Sequence, residues 1–577
     1  MTDFAGFGDS QLGQTEFAGD GADLLYEAVA TASKQGIPRA DEYGTYPGIA
    51  ALNAPGSAAS TVGFPGAPTF PVAHPGHYTK KYNIAEEWFE LIHVTPVAIV
   101  LGNVISTTNV AISIFNADRF QSHFLLDVDN FAGDGITFTD LPVLPYSIPI
   151  LSGLDLTLEV STDGPPTIDG TLLFDFDLYD VSVSITGTRI VIFPFVPQAP
   201  MREFLRFKTE VIDKVDGSEQ RIRMRKSPRQ EFVYNMRADG TERAALQNLM
   251  FDWQGRTFGL PLWFEPMYLT AAVSIGTSLL PIDDTHYADL RVGGLVLLFT
   301  NRFTYDALPI ASVTSKSITL ASPTNLGFPA GTLVVPVRTA VAVPTLPAQR
   351  RILKLADTEI RFRVTDNDVD LASAAAFSAL AGKVLLDDPN YVRGSLQEQF
   401  EHRLYAHDNV TGLFSHQSIW DRNRRSSQKG FRATSRKTLW EMRQLFHHLG
   451  GRLTSFYIPT FFDDLKPVAA LSSGSPSLTI ENVGYASFVK DRKSRIRVHL
   501  TDGTALDRTV TSSSEIDAET EQLTLNTGWP TTIQVDEVDR IEFIETVRLA
   551  SDDVEIVHAN AKGDAKAVVP VVEVFSE

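Results

Sequence analysis

Hydrophobic and polar positions follow two periods along this chain. From Glu90 to about Pro197 apolar residues alternate with polar ones, over residues 97–101, 110–114, 156–160, 170–174 and 181–187. A period of two with β-branched residues and intervening turn residues predicts short strands, about seven in about 110 residues, spaced as in a sandwich. Further on, a helical period occurs twice. Leu246, Leu249 and Trp253 form one stripe, and Met442, Leu445 and Leu449 form another, at the spacing of a buried helix face. Each stripe stops at Gly-Arg, Gly255-Arg256 and Gly451-Arg452, and Gly is the expected helix stop.

The segments after the two helices also repeat. Pro261-Leu262-Trp263-Phe264 comes after the first and Pro459-Thr460-Phe461-Phe462 after the second; Ala271–Ser274 and Ala469–Ser472 then lead into Gly-containing turns. We read an internal duplication with a spacing of about 200 residues, far longer than solenoid units. The first copy opens on alternating runs around Asp216-Gly217, a hairpin signal. It continues through strands near Leu295–Leu298, Ile318–Leu320 and Glu359–Val364. In the second copy Phe400 to Lys437 takes the place of the hairpin. Leu523–Leu525 matches Ile318–Leu320, Arg540–Phe543 matches the strand near Ile360, and Val547–Ile556 parallels the Thr365–Leu371 ending. The expected fold is mainly β: a sandwich over 87–198, then two related β-barrel or sandwich domains with one packed helix each, over 199–385 and 386–577.

Residues 1–86 differ. They are rich in Gly, Ala, Ser, Thr and Pro, and only Ala22 to Gln35 has helix character. Such a composition does not bury enough apolar surface to offset its ordering entropy alone. Two readings stand: a disordered tail, or an extended arm that orders against a neighbouring subunit.

Composition narrows the function. The 577 residues contain no cysteine, which excludes disulfides and thiolate metal sites; stability has to come from burial and assembly. A net charge of −20 argues against a general nucleic-acid coat. No apolar run reaches the length of a membrane span. The opening MTDFAGFGDSQLG lacks a basic and an apolar signal region, so synthesis and folding in a cytoplasm are expected.

Few residue patterns point to chemistry. Phosphate-loop, nucleophile-elbow and zinc-helix motifs are absent. Asp127-Val128-Asp129-Asn130 with Asp134-Gly135 lacks the calcium-loop spacing and reads as a solvated turn. His402, His407 and His416 are scattered, and the adjacent His447-His448 do not share a helix face, so these read as surface or packing residues. Asp463-Asp464 and Asp552-Asp553 are the best acid pairs, but adjacent carboxylates on a strand point apart, whereas a glycosidase needs two facing each other. No catalytic, cofactor or metal residues are assigned. Two basic segments, Arg221–Arg229 and Arg422-Asn423-Arg424-Arg425 to Lys437, occupy equivalent places in the two copies. Ion pairing to an acidic neighbouring subunit is favoured over DNA contact.

The series Glu219-Gln220-Arg221, Arg225 through Arg229, Trp253 through Arg256 and Pro261 through Trp263 resembles tail-tip proteins of long-tailed bacteriophages and gene transfer agents. Val547–Ile556, followed by Val568–Val574, is similar to the closing strands of that group. The sandwich region resembles the ASPM-SPD-2-Hydin immunoglobulin-like family, chiefly in Val181 to Gly187. The resemblance implies a virion structural protein of the tail tip or baseplate, made in the host bacterial cytoplasm. It would form a homo-oligomeric ring, trimer or hexamer, between tail tube, tape measure, hub and fibres, with passing DNA a further contact. No enzyme activity or cofactor is implied. Candidate structural or interface residues are Trp253, Arg256, Trp263, Arg452, Phe461, Arg225, Arg229, Arg424 and Arg425. The alternatives are a receptor- or carbohydrate-binding adhesin and a glycan depolymerase.

Overall fold

A computed structural model describes residues 88–575, apart from 90, 106, 131, 353–354, 409, 413 and 490–491. Residues 1–86, including the Ala22–Gln35 segment, lie outside the described residues. Among the described residues the protein is mainly β, with 52% strand and 8% helix. It divides into two compact units. Of the described residues, the first holds 88–93, Ile114–His123 and Ser147–Leu154. There the Asn116 side-chain amide donates to the carbonyls of Gln121, Ile148 and Pro149, each at 3.1 Å, and Asp118 meets His123 at 3.1 Å.

The second unit holds the remaining residues. Its early part pairs Thr167–Phe176 antiparallel with Val181–Arg189, which takes Ala98–Val104 in parallel on its other side. Asp127–Asn130, read above as a solvated turn, instead ends a strand and pairs with Leu172–Asp175; only Asp134-Gly135 turns. The cross-strand pairing carries the strand past an irregularity between Leu125 and Asp127, beyond which the inward alternation seen at His123 and Leu125 stops.

The later part consists of two series of strands. The first is β1 (Val191–Ile192), β2 (Gln198–Arg206), β3 (Thr209–Asp213), β4 (Glu219–Arg223), β5 (Arg229–Asp239), α1 (Gly240–Trp253), β6 (Thr257–Pro261), β7 (Leu279–Pro281), β8 (Leu295–Asn301), β9 (Thr304–Val313), β10 (Ser317–Leu320), β11 (Leu333–Ala342), β12 (Ala348–Ile352) and β13 (Leu355–Val364). The second is β14 (Lys383–Leu385), β15 (Gln399–Glu401), β16 (Leu404–Asp408), β17 (Phe414–Ser418), β18 (Arg424–Thr434), α2 (Arg436–Leu449), β19 (Phe456–Pro459), β20 (Ser477–Glu481), β21 (Arg495–Leu500), β22 (Ala505–Glu515), β23 (Thr520–Leu525), β24 (Val538–Leu549), β25 (Asp553–His558) and β26 (Asp564–Glu573).

Every principal pairing of the first series recurs in the second. The parallel pair β1–β6 is matched by β14–β19. The antiparallel pairs β2–β5, β3–β4, β5–β13 and β6–β11 are matched by β15–β18, β16–β17, β18–β26 and β19–β24. The rest agree as well, β7–β10, β8–β9, β8–β11, β9–β10, β11–β13 and β12–β13 each having its counterpart. Even the β-bulge between Ile310 and Ser312 returns between Val510 and Ser512, and bulges are specific features, not noise. Each copy carries one apolar core under its helix and a second one within β7–β11 or β20–β24.

These registers correct two matches expected from sequence. Arg540–Phe543 lies in β24, the counterpart of β11, while the strand near Ile360 is matched by β26. Val547–Ile556 spans β24 and β25, the counterparts of β11 and β12, and does not parallel Thr365–Leu371. The reason is that the copies drift: Glu231 corresponds to Ser426 and Arg363 to Val572, so the spacing lengthens along the chain and a fixed offset misassigns the last strands.

The two helices also differ. α2 starts on a capping box of Ser435 and Thr438 and ends on a left-handed Gly450. α1 has no side-chain cap and is closed by Gln254 in a right-handed conformation, so no left-handed residue closes it where it stops as expected, at Gly255. Its counterpart Gly451 has φ +70°, and a Cβ there would lie 2.4 Å from Asp552 Oδ1 and 2.8 Å from Phe207 Cβ; at Gly255 a Cβ meets nothing within 4 Å. Gly451→Ala is therefore expected to cost about 1–3 kcal/mol and Gly255→Ala less than about 0.5 kcal/mol, measured as denaturant midpoints of the two variants.

Candidate functional site

The most heavily built place in the second unit is the junction between its two copies. β2 of the first copy pairs on one side with its own β5 and on the other with β25 of the second, from Met201↔His558 to Arg206↔Asp553. Leu205 and Phe207 enter the helix-side core of the second copy. The β3–β4 hairpin reaches across as well. Thr209 N donates to Asp552 Oδ2 at 2.8 Å, Arg221 donates to the Leu453 carbonyl at 2.8 Å, and Glu219 takes Arg548 at 2.6 Å and Arg424 at 3.1 Å.

Beneath this ladder lies a chain of buried charges. Arg443 is 1% exposed. It donates to Glu203 at 2.8 Å and forms a short ion pair with Glu265. Glu203 also accepts from Gln230 at 2.9 Å and meets His558 at 3.1 Å. Glu265 accepts from the Asp289 amide, and Asp289 pairs with Arg338 at 2.6 Å and Arg291 at 2.8 Å. Phe264 stacks on the His558 ring at 4.0 Å. Burial pushes the Glu203 carboxyl up, but Arg443 and His558 outweigh it and hold it well below the usual range. Burial prevails at Glu265, whose carboxyl is raised despite Arg443. Asp289 is drawn to about 2, burial being outweighed by Arg338 and Arg291.

This arrangement sets buried cations against the buried carboxylates of Glu203, Glu265 and Asp289. Among the described residues no group of three or more His, Asp or Glu stands ready for a metal. A cleft of about 380 Å³ is lined by Arg206, Arg225, Arg229, Glu231, Arg363 and Asp553, among others.

The candidate residues fall in different places. Arg452 belongs to the junction, donating to Thr209 O at 2.6 Å and Asp552 Oδ2 at 3.3 Å. So does Arg424, which donates to Gly217 O at 3.0 Å and lies 4.9 Å from the Trp420 ring. Arg229, at the equivalent position of the first copy, instead lines the cleft with Arg225, and Arg225 donates to Arg206 O at 2.7 Å. Arg425 is tied inside the second copy to Glu545 at 2.7 Å and to Glu398. Trp253 donates its indole N–H to Thr257 O at 2.8 Å, with the Arg256 guanidinium 4.7 Å from its ring. Trp263 is buried edge-on to Phe299 at 4.9 Å, and Phe461 carries Lys429 at 4.6 Å. The acid pairs are structural: Asp552 holds Arg452 and Thr209, and Asp463 and Asp464 accept from the amides of Ile541 and Phe543.

Sequence reasoning missed Glu203, Glu265, Asp289, Arg338 and Arg443. One signal was available. Arg443 sits beside Leu439, Met442 and Phe446 on the apolar stripe of α2, where an unpaired charge is too costly to keep. Protein-family models give no match to this chain, and no curated protein matches it.

Arg443→Met strands two buried carboxylates and is expected to cost about 3–5 kcal/mol; adding Glu203→Gln and Glu265→Gln should recover part of that loss in the same denaturation assay. Acid acts on the junction through His447. Burial, then Arg443, holds this ring neutral down to about 4 against an ordinary value of 6.5. The unfolded chain therefore binds the extra proton between those limits, and stability falls as pH drops from 6.5 to 4. His447→Phe, which keeps the edge-on packing on Phe207, should flatten the fall in Tm across that window.

Proposed function

We propose that this chain is a structural protein of a phage tail tip or baseplate, in which tandem copies of one β domain build a ring linking the tail tube to hub or fibres. The carrying observation is the junction. It is heterologous: one copy offers β2 and its hairpin, the other offers β25 and α2. Contacts of this kind propagate, closing into rings when the rotation allows and growing into filaments otherwise. The repeated pairings support reading each copy as one barrel-like domain, and the paired strands between Ala98 and Arg189 support an immunoglobulin-like module beside them. The tail-tip resemblance of Glu219–Arg221, Arg225–Arg229 and Trp253–Trp263 supplies the particle. The buried charges are structural on this reading and the chain is not an enzyme.

The test has two parts. The full chain at neutral pH should sediment as a trimer or hexamer and show rings by electron microscopy. Antibody against it should label the tip of tailed particles. A chain that stays monomeric at every concentration, or rings absent from such particles, overturns the proposal.

A further inference from the structure

Aligned by register, the two copies differ in which of their equivalent surfaces the junction covers. β25 is matched by β12, and His558 by Arg350. β2 is matched by β15, Leu205 by Phe400 and Glu203 by Glu398. β25 is half-buried against β2, but β12 is exposed along its whole length and pairs only with β13 among the described strands. β15 is equally exposed and pairs only with β18 among them. The hairpin β3–β4 grips the second copy, whereas every residue of β16 and β17 is exposed.

The side chains at these positions are not those of a solvated edge. His447, buried on α2 against Phe207, corresponds to Phe251 on α1, which is 93% exposed. Phe264, stacked on His558, corresponds to Phe462, which is 69% exposed. Phe400 and Phe414 are 58% and 64% exposed. Two unpaired sheet edges, with exposed aromatics on β15 and on the elements beside them, invite another strand.

We infer that the β15 edge and β16–β17 hairpin of one chain dock on the β12 edge and α1 of a second copy, repeating between chains the junction already made within one. This rests on the ring reading and supplies its contact. The central arginine does not carry over, since Gln247 stands on α1 where Arg443 stands on α2, but other positions of the contact have complementary counterparts. Glu203 beside His558 becomes Glu398 beside Arg350, and Arg350 has no ion pair among the described residues. Phe264 on the His558 ring becomes Phe462 under the Arg350 guanidinium, a favourable cation–π arrangement. The Glu219–Arg548 pair becomes Phe414 against Val341, since Glu219 and Phe414 hold the same hairpin position, as do Arg548 and Val341 on β24 and β11. Opposite charges face each other at Glu398 and Arg350, a cation faces an aromatic ring at Arg350 and Phe462, and apolar faces apolar at Phe414 and Val341, a set that a second copy supplies.

The register also fixes a crosslink. Arg202↔Val557 in the internal ladder corresponds to Gln397 opposite Gln349 between chains. The chain has no cysteine of its own, so Gln349→Cys with Gln397→Cys reports this contact alone. The oxidised double variant should give a disulfide-linked ladder on a non-reducing gel, and neither single variant should. Phe251→Glu and Phe414→Glu should each weaken self-association by about tenfold or more in sedimentation while leaving the circular dichroism spectrum unchanged. A double variant that stays uncrosslinked, or glutamate variants that assemble like the parent, overturns the inference. If assembly persists in those cases, the ring reading survives with another contact. If the ladder forms but only open fibres are seen, the contact stands and the ring reading fails.

Discussion

A β-strand at the edge of a sheet must find a partner or be made unattractive to one, and this constraint shapes the second unit. β2 meets it by taking β25, more than three hundred residues later, as its outer neighbour. Leu205 and Phe207 then finish the core beneath α2. Burying them is worth about 1.5–3 kcal/mol each, but apolar burial does not choose a register. The charges do: Arg443 must reach Glu203 and Glu265 together, and a slip of one residue would turn every side chain of the ladder to its opposite face.

Much of this was legible in the sequence and some was not. The strands near Val181, Leu156 and Ile318 announced themselves by alternation, the Asp216-Gly217 turn by its residues, and α2 by a stripe and a Gly stop. The duplication was visible because helix, Gly-Arg and Pro-aromatic segments recur in order. The late strands were mismatched because insertions lengthen the second copy, which only the hydrogen-bond register reveals. The charged network was invisible for a different reason: Glu203, Glu265, Asp289, Arg338 and Arg443 come from five separate segments of the chain and converge only after folding. The arginine-rich segments gave a partial signal. Arg424 and Arg452 belong to the junction, while Arg225 and Arg229 line a cleft beside it.

The identity of the residues on used and unused surfaces bears on how each contact forms. Two copies on one chain meet at the high effective concentration set by their linker. Their junction needs little driving force, and buried ion pairs, which specify geometry more than they stabilise, suit it well. Contact between separate chains has to overcome lost translational and rotational freedom. That calls for apolar surface drawn out of water. On the inferred contact the equivalents of the Glu219–Arg548 pair and of His447 are Phe414 with Val341 and Phe251, side chains that gain by leaving solvent, while Glu398 and Arg350 keep a charge pair. On the inferred assembly, one kind of contact would serve two purposes, with charge fixing the register inside the chain and aromatic area driving association outside it.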